Sequence, residues 1–309
     1  MSDELRFEGR VAIVTGAGHG LGRAHARLLA QRGAKVVVND VSGGPGQGEQ
    51  IPDRAGRVVD EIEALGGVAV ACTASVATPE GGEAIVETAL DAFGRLDILV
   101  NNAGILRDAA FEDTSEQMLA PVLDVHLKGA FNVTRPAWAH MCRQSYGRIV
   151  NTTSSSGLFG TPRQTNYAAA KMGLVGLTRV LAIEAHGYGI QVNAIAPTGW
   201  TGMTDAVFPA SYEHKLRPEL VSPVVAWLAH EECSSNGEIY AAGGGSVTRV
   251  FLGVTPGIFS EDLTPETVRQ QFETVRESRG FREPASSSDE FFRLLDQVGL
   301  DNPFQVSTE

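Results

Sequence analysis

The chain has 309 residues, 43% of them hydrophobic and 20% charged, enough to bury a core without disulfides or structural metals. Its 25 Lys and Arg stand against 37 Asp and Glu, and the resulting charge of −12 excludes the basic face of a nucleic-acid binder. Three scattered cysteines, Cys72, Cys142 and Cys233, with no CxxC pair and no histidines at ligand spacing, exclude a disulfide framework and predict reduced thiols and no metal site.

The chain-order reading starts at MSDELRFEGR, which has no apolar run behind its charges and so does not read as a signal peptide. No 18 apolar residues are consecutive, so no membrane contact is expected and the cytoplasm is the expected location. Residues 11–14 are a strand-length apolar run, followed by glycines and then a helical pattern over 21–32. Lys35–Asn39 (KVVVN) is β-branched and bounded by Gly33 and Asp40, a second strand. Residues 42–57 are Gly-, Pro- and polar-rich, a long loop. Further short strands are predicted at 67–72, Ile98–Asn101, 149–152 and 191–195, each preceded by a helix-like segment. Strands apolar throughout and separated by helices give an α/β class, a doubly wound parallel sheet with helices on both faces.

After Gly245 the pattern changes. Thr264-Pro265-Glu266 supplies an N-cap, a proline at the first helical position and an acid in the first turn. Val268, Phe272 and Val275 then share one face, and a second short helix carries Phe291, Phe292 and Leu295. The expected organisation is a dinucleotide-fold domain over 1–250 and a helical extension over 251–309, packed on it by Phe272, Val275 and Phe291.

Between the first strand and its helix stands Thr15-Gly16-Ala17-Gly18-His19-Gly20-Leu21-Gly22. Glycines there permit a tight turn and close approach of a pyrophosphate, which rests on the free N–H groups of the helix N-terminus. Asp40 ends the second strand 22 residues after Gly18, where an acid takes adenosine ribose hydroxyls and repels a 2′-phosphate. The expected cofactor is therefore NAD. His19, in the turn, would add positive charge if protonated.

Tyr167-Ala168-Ala169-Ala170-Lys171 puts a phenol and an ammonium four apart on one helix face. A cation there is expected to draw the tyrosine pKa down, making Tyr167 an acid/base for an alcohol–ketone couple. Thirteen residues earlier, Ser154 ends a strand in TTSSS and could hold the substrate oxygen.

TGAGHGLG, Asn101-Asn102-Ala103-Gly104, Ser154 and YAAAK, in this order and spacing, resemble the short-chain dehydrogenase/reductase family over about residues 8–248. The resemblance implies one Rossmann-type domain with Ser154, Tyr167 and Lys171 as the catalytic set. Lys171 would lower the Tyr167 pKa and hold the nicotinamide ribose. Asn102, Ala103 and Gly104 would line the cofactor, Pro197 and Thr198 would stand by the nicotinamide, and Ser75 and Val76 main chain would meet the adenine. His126, in VHLKG, stands where most members carry Asn, and either supports the lysine or packs. Thr198 replaces the usual glycine, and Ala74 a common acid.

A closer resemblance, through NNAGILRD, VHLKGAFNVTRPAW, QTNYAAAKMGLVGL and the tail, runs to the (3R)-hydroxyacyl-CoA dehydrogenases. These are the dehydrogenase domains of type 2 peroxisomal multifunctional enzymes and their stand-alone bacterial relatives. It implies oxidation of a (3R)-3-hydroxyacyl-CoA, with a 17β-hydroxysteroid dehydrogenase or other carbonyl reductase as the same-class alternative. A sensor binding NAD without turnover is the alternative of another class. The resemblance also implies a homodimer or homotetramer. Residues 200–217, with Trp200, Met203, Phe208 and Tyr212, are the expected substrate lid, and Arg107, Lys128 and Arg163 are candidates to meet CoA phosphates.

Overall fold

Apolar runs become strands throughout the first part of the chain: β1 (Val11–Thr15), β2 (Lys35–Asn39), β3 (Val68–Cys72), β4 (Ile98–Asn101), β5 (Gly147–Thr152) and β6 (Ile190–Pro197). The computed structural model describes residues 4–41, 53–202 and 209–301. Two strands that the pattern did not announce follow, β7 (Ile239–Gly243) and β8 (Ser246–Val250), joined at Gly244 and Gly245, both with positive φ. The sheet order is β3-β2-β1-β4-β5-β6-β7-β8, and every pair from β3 to β7 is parallel. This is the doubly wound α/β sheet expected from the sequence. The order reverses at β1, which lies between β2 and β4, so a crevice opens beyond the carboxyl ends of β1 and β4.

The helices are α1 (Gly20–Gln31), α2 (Arg54–Ala64), α3 (Pro79–Phe93), α4 (Glu116–Leu123), α5 (Gly129–Gln144), α6 (Ser155–Phe159), α7 (Thr165–Glu184), α8 (Ser222–Ala229), α9 (Pro265–Arg276) and α10 (Ser287–Gln297). Between α4 and α5 the chain widens into one π-turn, Asp124–Lys128. Local chemistry sets the helix ends. Thr78 caps α3 by accepting the Gly81 N–H, Pro79 opens it, and Gly94 closes it at φ 76°.

Alternation along β1 sends Ala12 and Val14 to one face of the sheet and Val11 and Ile13 to the other. The first pair packs with Leu29 of α1, Val58 and Ile62 of α2, and Val225 and Leu228 of α8. The second packs with Ile85 and Val86 of α3 and Val133 and Met141 of α5. Burial on both faces is what the unbroken apolar strands require, at about 1.5–3 kcal/mol for each large side chain enclosed.

The chain divides into two compact units, Met1–Arg249 and Val250–Glu309. The second holds α9 and α10, capped by Thr264 and Ser286, whose hydroxyls accept the N–H groups of Thr267 and Asp289. Within it Val254 bridges Arg282 antiparallel, and Phe251 stacks on Phe281 at 5.2 Å. Among the described residues no helix is long and apolar enough to cross a membrane, and no group of three or more His, Cys, Asp and Glu could hold a metal.

Candidate active site

At the switch point the turn after β1 and the turn after β4 are tied together. The N–H groups of Asn102 and Ala103 donate to Thr15 Oγ1 at 3.0 and 3.1 Å. Asn102 Nδ2 donates back to the carbonyls of Thr15 and Gly16 at 2.9 and 3.1 Å. The glycines are required by this closeness. A Cβ on Gly16, which has φ 62°, would fall 2.7 Å from Ala103 Cα, and one on Gly22 would fall 2.3 Å from Gly16 O.

Asp40, which follows β2, closes on the glycine turn. It is 7% exposed, and its Oδ2 accepts the Gly18 N–H at 2.9 Å. A Cβ on Gly18 would lie 2.8 Å from that oxygen. His19 Nδ1 approaches the same oxygen at 3.4 Å, so the imidazole faces the carboxylate rather than standing alone in the turn. His19 precedes α1 without a side-chain cap, and the first turn carries no acid, which leaves the N–H groups from Gly20, Leu21 and Gly22 available. A cradle emptied of side chains, uncapped helix N–H groups and an acid at the end of β2 together fit a dinucleotide.

Val76 is buried and its carbonyl accepts from Asn132 Nδ2 at 2.9 Å, while the Ser75 hydroxyl accepts the Ala77 N–H. Pro197 ends β6, and the Thr198 N–H donates to Ala242 O at 2.8 Å.

Ser154, Tyr167 and Lys171 come together from the N-cap of α6 and from α7. Lys171 is 3% exposed; its Nζ donates to Thr152 O and lies 5.6 Å from the centre of the Tyr167 ring. Burial pulls the ammonium down to about 7. Ser154 caps α6 by accepting the Ser156 N–H at 3.1 Å. Burial pushes the Tyr167 hydroxyl up, a hydrogen bond from Ser154 opposes the rise, and the charge of Asp108 adds to it. The downward shift expected from the lysine is therefore not what the free protein shows: burial of the phenol raises Tyr167, only the Ser154 hydrogen bond opposes that rise, and burial lowers the lysine itself to about 7.

His126 lies in the π-turn, buried, its ring edge-on to Tyr167 at 5.1 Å. Its Nε2 stands 3.0 Å from the Ile105 nitrogen and 2.8 Å from the Ile105 carbonyl oxygen. Burial and the Lys171 charge hold the imidazole well below its ordinary pKa, so it is neutral. A Cβ on Gly104 would lie 2.3 Å from His126 Cε1.

Of the cations expected for phosphates, Lys128 is paired with Asp124 at 2.7 Å and Arg107 Nη1 donates to Leu106 O. Arg163 has φ 71°, and its carbonyl accepts the Ala109 N–H. Of the expected lid, Met203 and Phe208 lie outside the described residues, and Tyr212 ends a short 3-10 turn with its ring half exposed. Sequence reading passed over Asn166, buried directly before Tyr167, because its burial and its distant partners show only in the fold.

The short chain dehydrogenase family profile matches residues 10–211. Peroxisomal multifunctional enzyme type 2 of Mus musculus is 47% identical over 282 residues, 89% of this chain but only 38% of the mouse protein. The short-chain type dehydrogenase/reductase Rv0148 of Mycobacterium tuberculosis is 52% identical over 246 residues, 79% of this chain and 85% of that protein. The structure of full-length peroxisomal multifunctional enzyme type 2 from Drosophila melanogaster superposes with a TM-score of 0.80 at 40% identity, covering 94% of this chain and 50% of that one. This chain thus spans less than half of the mouse multifunctional enzyme that it matches. The fold, the glycine turn and the extent of these matches place the chain in the short-chain dehydrogenase/reductase family, as an oxidoreductase of the nicotinamide-dependent kind.

Proposed function

We propose that the protein is an NAD-dependent dehydrogenase that oxidises a secondary alcohol, a (3R)-3-hydroxyacyl-CoA, to the 3-oxoacyl-CoA. The observation that carries the chemistry is the grouping of Ser154 and Lys171 beside Tyr167. The Ser154 hydroxyl holds the substrate oxygen, and the Tyr167 oxygen takes its proton. Lys171 supplies the cation that stabilises the phenolate and the donors that hold a ribose. A bound NAD supplies the acceptor for the hydride leaving the carbinol carbon. Asp40 supports NAD over NADP, since a buried carboxylate at the end of β2 would repel a 2′-phosphate.

His126 serves in this reading as a neutral brace on Ile105, a role supported by its Nε2, which either donates to the Ile105 carbonyl or accepts the Ile105 N–H according to its tautomer. The acyl-CoA is supported by the resemblance through NNAGILRD, VHLKG and the tail and by identity to type 2 multifunctional enzymes. Assembly as a homodimer or homotetramer belongs to the same reading, supported by the exposed apolar side chains Phe131, Val180 and Ile183 on α5 and α7. The test of the catalytic set is Tyr167→Phe, which keeps the ring and loses the proton carrier. Turnover falls to background while NADH still binds. Activity within about tenfold of the parent, roughly 1.4 kcal/mol of barrier, contradicts the assignment.

A further inference from the structure

Asn166 is 3% exposed in the first turn of α7, and all of its amide hydrogen-bonding groups are engaged. Its Oδ1 accepts the Tyr167 N–H at 2.7 Å. Its Nδ2 donates to Arg107 O at 2.9 Å and to Met118 O at 3.1 Å. One side chain thus joins three separate segments: the backbone of Tyr167, the stretch after the Asn102–Gly104 turn, and α4. That stretch is gripped a second time two residues earlier, where His126 Nε2 meets Ile105. The His126 ring in turn packs edge-on to Tyr167. The phenol and the cofactor turn are therefore linked by two short paths, one through each side chain.

An amide is suited to this place in a way few groups are. It offers two donors to two carbonyls and one acceptor to an N–H. A carboxylate would set an oxygen against both carbonyls, and a serine hydroxyl is too short to reach both.

We propose that Asn166 is a positioning residue that fixes the phenol of Tyr167 against the Asn102–Gly104 turn, acting on the chemical step and not on cofactor affinity. The inference rests on Tyr167 being the acid/base. Asn166→Asp and Asn166→Ser are each measured with NAD and a medium-chain (3R)-3-hydroxyacyl-CoA as probe, beside NADH titration and thermal melting. Expected is a kcat about 10- to 100-fold lower per folded molecule, as for a small misplacement of a reacting group, with the NADH Kd within about threefold of the parent. For Asn166→Asp the ratio of variant to parent kcat rises as pH falls, because a protonated carboxyl regains one donor. Asn166→Ser carries the test if the charged variant does not fold. A kcat within about threefold of the parent in the folded variants, or a loss of NADH affinity equal to the loss of kcat, overturns the inference. Tyr167→Phe run in parallel separates the two claims. If it keeps turnover, the reading of the site fails. If it is inactive while the Asn166 variants match the parent, only this inference fails.

Discussion

Gly104 and His126 share one position: a Cβ on the glycine would stand 2.3 Å from Cε1 of the buried imidazole. The absence of a side chain at 104 lets the ring sit beside Ile105 and hold its main chain at Nε2.

Gly104→Ala therefore pushes the ring off Ile105. Overpacking of this kind costs about 1–3 kcal/mol, and NADH affinity should fall with it, because the cofactor turn moves. Adding His126→Asn, which is smaller, should recover part of the lost stability. Additive losses in the double-mutant cycle would show that the two residues are independent.

Asp40→Ala removes a buried carboxylate that also holds the Gly18 N–H. A charge-assisted hydrogen bond is worth about 1.5–3 kcal/mol, so kcat/KM for NAD relative to NADP should fall by more than about tenfold. An unchanged ratio would move the choice of cofactor to another residue, with His19, 3.4 Å from the carboxylate, the first to examine.

Lys171 titrates near 7 in the fold against 10.5 when unperturbed. Between those values the unfolded chain holds a proton that the native protein has released, so stability rises with pH across that window. Below about 7 both states carry the charge, and the cost of burying it is present in full. Melting temperature should climb from pH 7 toward 10, and Lys171→Met should flatten that climb. Equal slopes in parent and variant would mean that the lysine is not desolvated as described.

His25 is fully buried, its Nδ1 bonded to Ser222 Oγ at 2.8 Å, and burial lowers its pKa to about 3. Between about 6.5 and 3 the unfolded chain takes up a proton that the native state refuses, so stability falls on acidification. His25→Asn keeps a polar group near Ser222 and does not titrate. Its unfolding free energy should vary less between pH 6.5 and 4.5, from a lower starting value because of the cavity left behind. A slope as steep as the parent's would assign acid sensitivity to other groups, among them His126, which is also held neutral by burial.

Much of this was legible in the sequence for definite reasons. Strands buried on both faces must be apolar throughout, and β2 and β4 fall on Lys35–Asn39 and Ile98–Asn101 as read. The glycine turn announced itself because backbone closeness admits few other residues. β7 and β8 were missed because IYAAG ends in Ala-Ala-Gly rather than in β-branched residues, and SVTRV is exposed at the sheet edge, so neither shows a buried apolar run. The direction of the Tyr167 shift was misread because helical spacing reports that Lys171 is near, not how deeply the phenol itself is buried. Asn166 escaped because its partners, Arg107 and Met118, lie 59 and 48 residues away and meet it only in the fold.

The central claim is the substrate, and one comparison tests it most directly. NADH production is measured from the (3R) and (3S) epimers of medium- and long-chain 3-hydroxyacyl-CoA, beside a 17β-hydroxysteroid. The account predicts turnover of the (3R) thioester, none of the (3S) epimer, and a lower kcat/KM for the steroid. Preference for the (3S) thioester, or for the free steroid by more than about tenfold, close to 1.4 kcal/mol of transition-state binding, would contradict it.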